Sequence, residues 1–332
     1  MNPPTPQYIF RGHQAAINTL CYFGDDQFIA SGDGDGIIIV WKMKTRRPVL
    51  KWKAHEESCL CVKVYKDRLV SQGRDDKIQV WQLPDLEEIA VVVSVSDAQN
   101  LKPPTLVFHI PYDSLNFCKF SLCIIPDSVL LAFPSNGDTP LVDIYDLTLR
   151  KWAIRTIGLG TTAGLSKKGL CMAVELVEKE EKIWLLVGYE DGSVSMWFCD
   201  VIQRVASLVW DVQKHKQPVL SMAVDRSNTW VVSTSADNQI IKYSIQSGDV
   251  LNQIALKKSG IAAVAVRPDN KIFATAGHDG KIRVFSCSSL RPLAILTYHR
   301  ESAYCVAFGT QSDCNWLISG GKDARISLWA IY

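Results

Sequence analysis

Short apolar runs separated by turn-forming residues recur along the whole chain. Clear examples are Ala15 to Tyr22, Leu60 to Val64, Val219 to Val224, Ile261 to Val266 and Ala303 to Phe308. They are rich in β-branched and aromatic residues and too short for typical helices, so they predict strands. The pattern therefore indicates an all-β protein.

These predicted strands belong to a repeat. In Ser31 to Trp41, Ser71 to Trp81 and Ser319 to Trp329, a serine stands ten residues and an aspartate six residues before a tryptophan. The same spacing places an aromatic anchor in seven copies, at Trp41, Trp81, Tyr145, Trp197, Tyr243, Phe285 and Trp329. Each copy predicts four antiparallel strands with the aspartate in the turn between the second and third, which is the design of a propeller blade. We expect one domain, residues 1–332, with seven blades.

A histidine precedes the aspartate in four copies. At similar spacings, His13, His55, His215 and His299 come before Asp35, Asp75, Asp237 and Asp323. The copy that ends at Tyr145 departs most, because Thr139 occupies the aspartate position, and its strand boundaries are the least defined.

This combination of residues resembles the WD-repeat family over essentially the whole chain. The resemblance implies that the histidine loops and the aspartate turns share one face, and that His, Asp, Ser and Trp hydrogen-bond in series within a blade. The residues assigned to these networks are His13, Ser31, Asp35, Trp41, His55, Ser71, Asp75, Trp81, His215, Asp237, His299, Ser319, Asp323 and Trp329.

The two chain ends suggest how the last blade is completed. Only three residues follow Trp329, too few for a fourth strand, whereas the segment from Gln7 to Arg11 forms a spare strand before His13. We therefore predict that Tyr8 to Phe10 supplies the outer strand of the last blade, which would otherwise present an open edge.

Composition narrows the class of protein further. The chain has 332 residues, of which 36 are Lys or Arg and 34 are Asp or Glu, a balance that disfavours a general nucleic-acid binder. Its start lacks the charged and apolar regions of a signal peptide, and no apolar run reaches the roughly 20 residues of a membrane helix. The ten cysteines are scattered with no Cys-x-x-Cys pair, which favours free buried thiols in a reducing compartment.

Two patterns suggest chemistry but have structural explanations. Gly32, Gly34 and Gly36 resemble a phosphate-binding loop, but a strand follows them where such a loop requires a helix. The His and Asp pairs resemble catalytic dyads, but an active site is needed once whereas a blade-stabilising pair is needed in each blade. We expect no enzyme activity, no metal and no cofactor.

The spacing between anchors suggests a partner surface. The two longest steps between successive anchors lie on either side of Tyr145, and the excess length falls near residues 96–116 and 158–169. We predict that both insertions precede a first strand, lie on the face of the aspartate turns and dock a protein, with a tolerated insertion as the alternative. The candidate contacts are Leu101, Lys102, Phe108 and His109, together with the turn residues Arg74, Glu190, His278 and Lys322.

A basic run adds one more candidate surface. The segment from Lys42 to Lys53 contains six cations. It is either a solvated edge strand or a contact for an acidic partner.

Two segments resemble a narrower group. Asp113 to Ser121 and Ser319 to Tyr332 are similar to the ASTRA-associated protein 1 family, which is also similar to G-protein β-subunit-like propellers. The resemblance implies a nuclear, non-catalytic scaffold subunit of the ASTRA complex, tied to chromatin remodelling and to maturation of phosphatidylinositol-kinase-like kinases. Its partners would be protein subunits, including kinase-maturation chaperones, and not nucleic acid, membrane or a small-molecule substrate.

Two other functions stay open at this point. A signalling β-subunit would pair with a small helical partner, although only the short segment from Met1 to Gly12 precedes His13, where such subunits carry a long helical extension. A reader of histone tails would use the central channel, but the residues before each aspartate show no aromatic cage.

Overall fold

The structure is a computed structural model that describes residues 4–86, 103–137, 139–159, 167–310 and 315–331. The described residues form 28 strands in seven four-stranded antiparallel sheets, arranged as the blades of a β-propeller. In the part of the chain that the structure describes, no helix is long and apolar enough to cross a membrane. The predicted fold class is confirmed.

Each blade has its strands in chain order, apart from the last. Blade one contains β2 (Ile17–Phe23), β3 (Phe28–Asp33), β4 (Ile37–Lys42) and β5 (Arg47–Lys53). Blade two contains β6 (Cys59–Tyr65), β7 (Arg68–Gly73), β8 (Lys77–Gln82) and β9 (Thr105–Pro111). Blade three contains β10 (Ser121–Ile125), β11 (Ser128–Pro134), β12 (Val142–Asp146) and β13 (Lys151–Ile157). Blade four contains β14 (Cys171–Lys179), β15 (Lys182–Tyr189), β16 (Ser193–Asp200) and β17 (Val205–Gln213).

The remaining three blades follow the same plan. Blade five contains β18 (Val219–Val224), β19 (Trp230–Ser235), β20 (Gln239–Ser244) and β21 (Val250–Ala255). Blade six contains β22 (Ile261–Val266), β23 (Ile272–Gly277), β24 (Lys281–Ser286) and β25 (Pro292–Thr297). Blade seven contains β26 (Ala303–Phe308), β27 (Trp316–Gly321), β28 (Arg325–Ala330) and the N-terminal strand β1 (Tyr8–Arg11). All seven predicted aromatic anchors lie on the third strand of their blade.

The N-terminal strand completes blade seven as predicted. β1 pairs antiparallel with β28, with Tyr8 opposite Leu328 and Arg11 opposite Arg325. Phe10 is 1% exposed and meets Trp41 edge to face, with ring centroids 5.3 Å apart. The strand therefore covers the edge of β28 and also buries an aromatic side chain against blade one.

Two compact units account for the chain. One comprises Met1–Ser114 and Ala265–Tyr332, and the other comprises Leu115–Val264. The expectation of a single domain for residues 1–332 stays a prediction.

Hydrogen bonds link neighbouring blades within each unit. The Val62 amide of blade two donates to Thr19 Oγ1 of blade one over 3.0 Å. In the same way, the Leu176 amide of blade four donates to Ser121 Oγ of blade three over 2.9 Å. Because these strand hydroxyls are buried, the bonds hold adjacent sheets in a fixed register as well as satisfying polar groups.

The structure describes nine of the ten cysteines, and these nine agree with the sequence analysis. All nine are free and buried. Burial raises the pKa of the Cys21 and Cys199 thiols to about 12. These thiols therefore remain protonated and act as small apolar core residues.

The placement of the first insertion is wrong. Residues 105–111 form β9, the outer strand of blade two, and do not precede the first strand of blade three. The connection from Gln82 to Thr105 therefore joins a third to a fourth strand and leaves the sheet at the end opposite Asp75, because the turn before β8 lies at the other end of that strand. Sequence spacing could not separate a late outer strand from a long entry loop. Leu101 and Lys102 lie outside the described residues.

The second insertion agrees with its prediction as far as it is described. Blade three ends with β13 at Ile157 and blade four begins with β14 at Cys171. The connection between them therefore precedes a first strand, at the end of the sheet that carries the turn between the second and third strands.

Candidate functional site: the blade networks and the Asp turns

We call the turn between the second and third strands of a blade its Asp turn. In blade two, His55 Nδ1 lies 2.8 Å from Asp75 Oδ1, and His55 Nε2 lies 2.8 Å from Ser71 Oγ. Trp81 Nε1 donates to the same hydroxyl over 2.9 Å. A neutral imidazole with its proton on Nδ1 satisfies every partner, since it donates to the carboxylate and accepts from Ser71. The network ties the entry loop, the Asp turn and the third strand together.

Blade one uses a different aspartate from the one assigned by sequence. His13 Nδ1 lies 2.7 Å from Asp33 Oδ2, and His13 Nε2 lies 2.7 Å from Ser31 Oγ. Asp33 is 1% exposed, whereas Asp35 is exposed on the turn. The assignment of Asp35 to this network is therefore wrong.

The reason for the change is visible in blade two. Gly73 occupies the position that corresponds to Asp33, and a Cβ atom there would lie 2.3 Å from both His55 Nδ1 and Asp75 Oδ1. In blade two, where the carboxylate comes from two residues later in the chain, the glycine leaves the space that the imidazole and the carboxylate occupy. In blade one the residue at this position supplies the carboxylate itself, so the repeat spacing points to the wrong residue.

Blades five and seven retain the histidine and the aspartate. His215 Nδ1 lies 3.1 Å from Asp237 Oδ2, and His299 Nδ1 lies 3.0 Å from Asp323 Oδ1. His299 Nε2 contacts Ser319 Oγ at 2.8 Å.

Blade seven contains one hydroxyl more than expected. Trp329 Nε1 donates to Ser327 Oγ over 2.7 Å, and Ser327 Oγ in turn lies 2.7 Å from Ser319 Oγ. The expected direct bond between Ser319 and Trp329 is therefore replaced by a chain through Ser327. Ser327 lies on β28 beside Ser319, so its hydroxyl lies between the Ser319 hydroxyl and the Trp329 indole.

Blade four has a lysine where other blades have the histidine, and the sequence analysis missed it. Lys168 is 5% exposed, and its Nζ donates to Ser193 Oγ over 2.8 Å and also to Asp211. Ser193 in turn donates to Asp191 Oδ1. The signal was a lysine 23 residues before Asp191, within the 20 to 24 residues that separate the histidines from their aspartates. Blade six has a further variant, because both oxygens of Asp279 accept from Arg283.

The pKa directions describe the protonation of these networks. Burial acts to raise the pKa of Asp75, but the hydrogen bonds from His55 and the Glu56 amide and the nearby positive charges together outweigh it, so the pKa lies below its ordinary value. Asp323 behaves in the same way beside His299. Burial lowers the pKa of His215. Asp75 and Asp323 are therefore held in the ionised form, and burial tends to keep the imidazole of His215 neutral.

The histidines are closed off from solvent. The side chains of His55, His215 and His299 are 0% exposed, and that of His13 is 1% exposed. A catalytic base must reach the proton that it abstracts. The arrangement consequently suits blade stabilisation, and not proton transfer to a substrate.

The candidate partner residues are distributed over different parts of their blades. Arg74, Glu190, His278 and Lys322 lie on Asp turns, and the last three are exposed. Phe108 and His109 lie on β9, opposite Val80 and Gln79 of β8. The predicted surface therefore divides into Asp-turn residues and an outer-strand pair, which the structure does not bring together.

Seven four-stranded blades with these networks define a WD-repeat β-propeller. Comparison with known proteins agrees, since a family model described as WD domain, G-beta repeat, matches residues 290–330. A second family model, described as ASTRA-associated protein 1, matches residues 6–308. The chain therefore belongs to the ASTRA-associated protein 1 family.

Full-length relatives support this assignment. The chain is 31% identical to ASTRA-associated protein 1 of Schizosaccharomyces japonicus, with 99% of each chain covered. It is 30% identical to the protein of that name in Aspergillus niger, with 99% of this chain and 98% of the relative covered. It is also 33% identical to guanine nucleotide-binding protein subunit beta-like protein 1 of Mus musculus, with 99% and 97% covered.

Proposed function

We propose that this protein is a non-catalytic scaffold subunit of an ASTRA-type complex. In this role it would hold protein subunits together in chromatin remodelling and in the maturation of phosphatidylinositol-kinase-like kinases, and it would reside in the nucleus. The observation that carries the proposal is family membership over residues 6–308, because the family is named for association with ASTRA.

The geometry of the blades supports a binding role over a catalytic one. The recurrent imidazole and carboxylate pairs are buried and occupied with one another, so they serve the fold. The variable chemistry is on the loops, where a rigid propeller displays side chains to partners.

Exposed apolar side chains mark one region for partner contact. Leu115 and Phe117, which precede blade three, are 53% and 65% exposed, and Leu159, which precedes blade four, is 71% exposed. All three belong to connections that enter a first strand, so they lie at the Asp-turn ends of their blades. Large apolar residues at exposed positions are typical of protein contacts when they cluster on one face.

Affinity purification of the tagged chain followed by mass spectrometry tests the proposal. We expect ASTRA subunits and kinase-maturation chaperones to copurify with the wild-type chain. Substitution of Leu115 and Phe117 by aspartate should remove part of this set without changing the melting temperature. Ile202→Asp is the matched control, because Ile202 is 85% exposed in the turn between the third and fourth strands of blade four.

The mouse relative's name favours a second candidate, a G-protein β-subunit-like signalling scaffold. Copurification of a small Gγ-like helical subunit in place of ASTRA subunits would replace the proposal with this candidate. Fluorescence microscopy of the tagged chain at native expression tests the nuclear location, and exclusion from the nucleus would contradict it.

A further inference from the structure

An open pocket of about 490 Å³ lies at the Asp-turn end of blade seven. Its lining residues come from the end of β1, the loop that enters β26, and the Asp turn with the start of β28. They are Arg11, Tyr298, Arg300, Glu301, Asp323 and Arg325. This volume is in the range of pockets that hold a small ligand or a short segment of a peptide.

Three arginines give the pocket an excess of positive charge. Arg11 and Arg325 are directly opposite one another in the pairing of β1 with β28. Like charges at directly opposed positions destabilise a sheet, so this pair opposes the closure of blade seven. Arg300 adds a third guanidinium to the same pocket.

The two acidic residues of the pocket are already engaged. Both oxygens of Asp323 are within 3.1 Å of His299 Nδ1. Glu301 Oε1 lies 3.3 Å from Lys322 Nζ.

Within the described part of the chain, the three arginines therefore lack a paired counterion. Among the residues that the structure describes, no carboxylate pairs with the guanidinium of Arg11, Arg300 or Arg325. The cost of the opposed Arg11 and Arg325 would be offset by an anion that binds between them.

We propose that this pocket binds a carboxylate-rich segment of a partner protein. Glutamate or aspartate side chains of the segment pair bidentately with the guanidinium groups, which present two parallel N–H donors to each carboxylate. Tyr298 lines the pocket and offers a hydroxyl and an aromatic surface to the bound chain. The inference rests on the proposed scaffold function in that it gives the scaffold one contact of defined chemistry.

Fluorescence anisotropy with the full chain tests the pocket directly. The probe is a short fluorescein-labelled peptide in which glutamate alternates with glycine, and glutamine replaces glutamate in the control peptide. We expect the glutamate peptide alone to bind, and its affinity to fall as salt rises from about 50 to 200 mM. Arg300→Ala and Arg325→Ala should each weaken binding about tenfold.

Two further variants separate charge from geometry. Arg300→Lys retains the charge but loses the bidentate fork, so it should recover only part of the affinity. Glu301→Gln removes a negative charge from the pocket lining and releases Lys322, so it should tighten binding. Arg291→Ala, an exposed arginine in the turn between the third and fourth strands of blade six, is the control and should bind like the wild type.

Specific outcomes would overturn the inference. Equal binding by the wild type and an Arg11, Arg300 and Arg325 triple alanine variant with an unchanged melting temperature would do so, as would equal binding of the glutamine peptide. A phosphoserine peptide that binds where the glutamate peptide does not would replace the carboxylate assignment. A negative result in the peptide-binding assay would leave the copurification result unaffected. If the peptide binds but no ASTRA subunits copurify, only the proposed function is contradicted.

Discussion

In blade one, the carboxylate that binds His13 belongs to Asp33 and not to Asp35, and substitutions at the two positions test this directly. Asp33→Ala removes a carboxylate that accepts from His13 Nδ1 at 2.7 Å, from the Asp35 amide at 3.0 Å and from the Ile37 amide at 2.9 Å. Asp35→Ala is the matched control, because that side chain is exposed and has no role in the network.

The magnitude follows from these three bonds. An unpaired buried imidazole donor costs about 1–3 kcal/mol, and each lost amide bond costs about 1 kcal/mol, so Asp33→Ala should destabilise the chain by about 3–5 kcal/mol. With an unfolding entropy near 0.7 kcal/mol/K for a chain of this length, the melting temperature falls by about 4–7 °C. Asp35→Ala should change it by less than about 1 °C.

Differential scanning calorimetry and tryptophan fluorescence at neutral pH provide the measurement. Asp33→Asn, which keeps an acceptor oxygen, should lie between the alanine variant and the wild type. The reasoning is refuted if Asp35→Ala lowers the melting temperature as much as Asp33→Ala does. It is also refuted if neither variant changes it.

Three further predictions concern the blade networks and the completion of blade seven. Because burial lowers the pKa of His215 below 6.5, the unfolded chain binds protons more readily than the folded chain, so stability should fall as the pH drops through about 6.5. In the His215→Gln variant, the melting temperature should depend less on pH across this range. Gly73→Ala places a Cβ atom 2.3 Å from Asp75 Oδ1 and should lower the melting temperature by several degrees, whereas the Cβ of Gly34→Ala meets nothing closer than 3.4 Å and should leave it nearly unchanged. Deletion of residues 1–11 removes β1 and the buried Phe10, so calorimetry should show a sharp loss of thermal stability, and an unchanged melting temperature would contradict the pairing with β28.

The place of β9 in blade two limits how the first insertion can be tested. Deletion of residues 97–110 would remove most of β9, which pairs with β8 from Lys77 to Gln82. A loss of partner binding after that deletion would therefore report a damaged blade. Single substitutions at the exposed His109 avoid this problem, because its backbone pairing is retained.

Much of the fold could be predicted from the residues alone. The aromatic anchor recurs at a nearly constant spacing, and each anchor occupies the third strand of a blade, because a repeat must bury the same face each time. The spare strand at Tyr8 to Phe10 was equally evident, since the last blade lacked one strand at the other end.

Tertiary structure decided which side chains meet. A shift of two residues at a strand end left Asp33 beside His13 and turned Asp35 to solvent, although the spacing to Trp41 favoured Asp35. Lys168 took the histidine's place in blade four. Each network requires a donor or an acceptor of a given charge at a given place, and several residue types at neighbouring positions can supply it.

The pocket of blade seven shows the same distinction between sequence and structure. Arg11 and Arg325 lie near opposite ends of the chain, and only the pairing of β1 with β28 places them opposite each other. The sequence by itself determined the repeat, the strands and the missing edge, because these depend on local periodicity. The partners in each network and the unpaired arginines depended on the tertiary structure, because contacts between distant residues are set by how the blades pack.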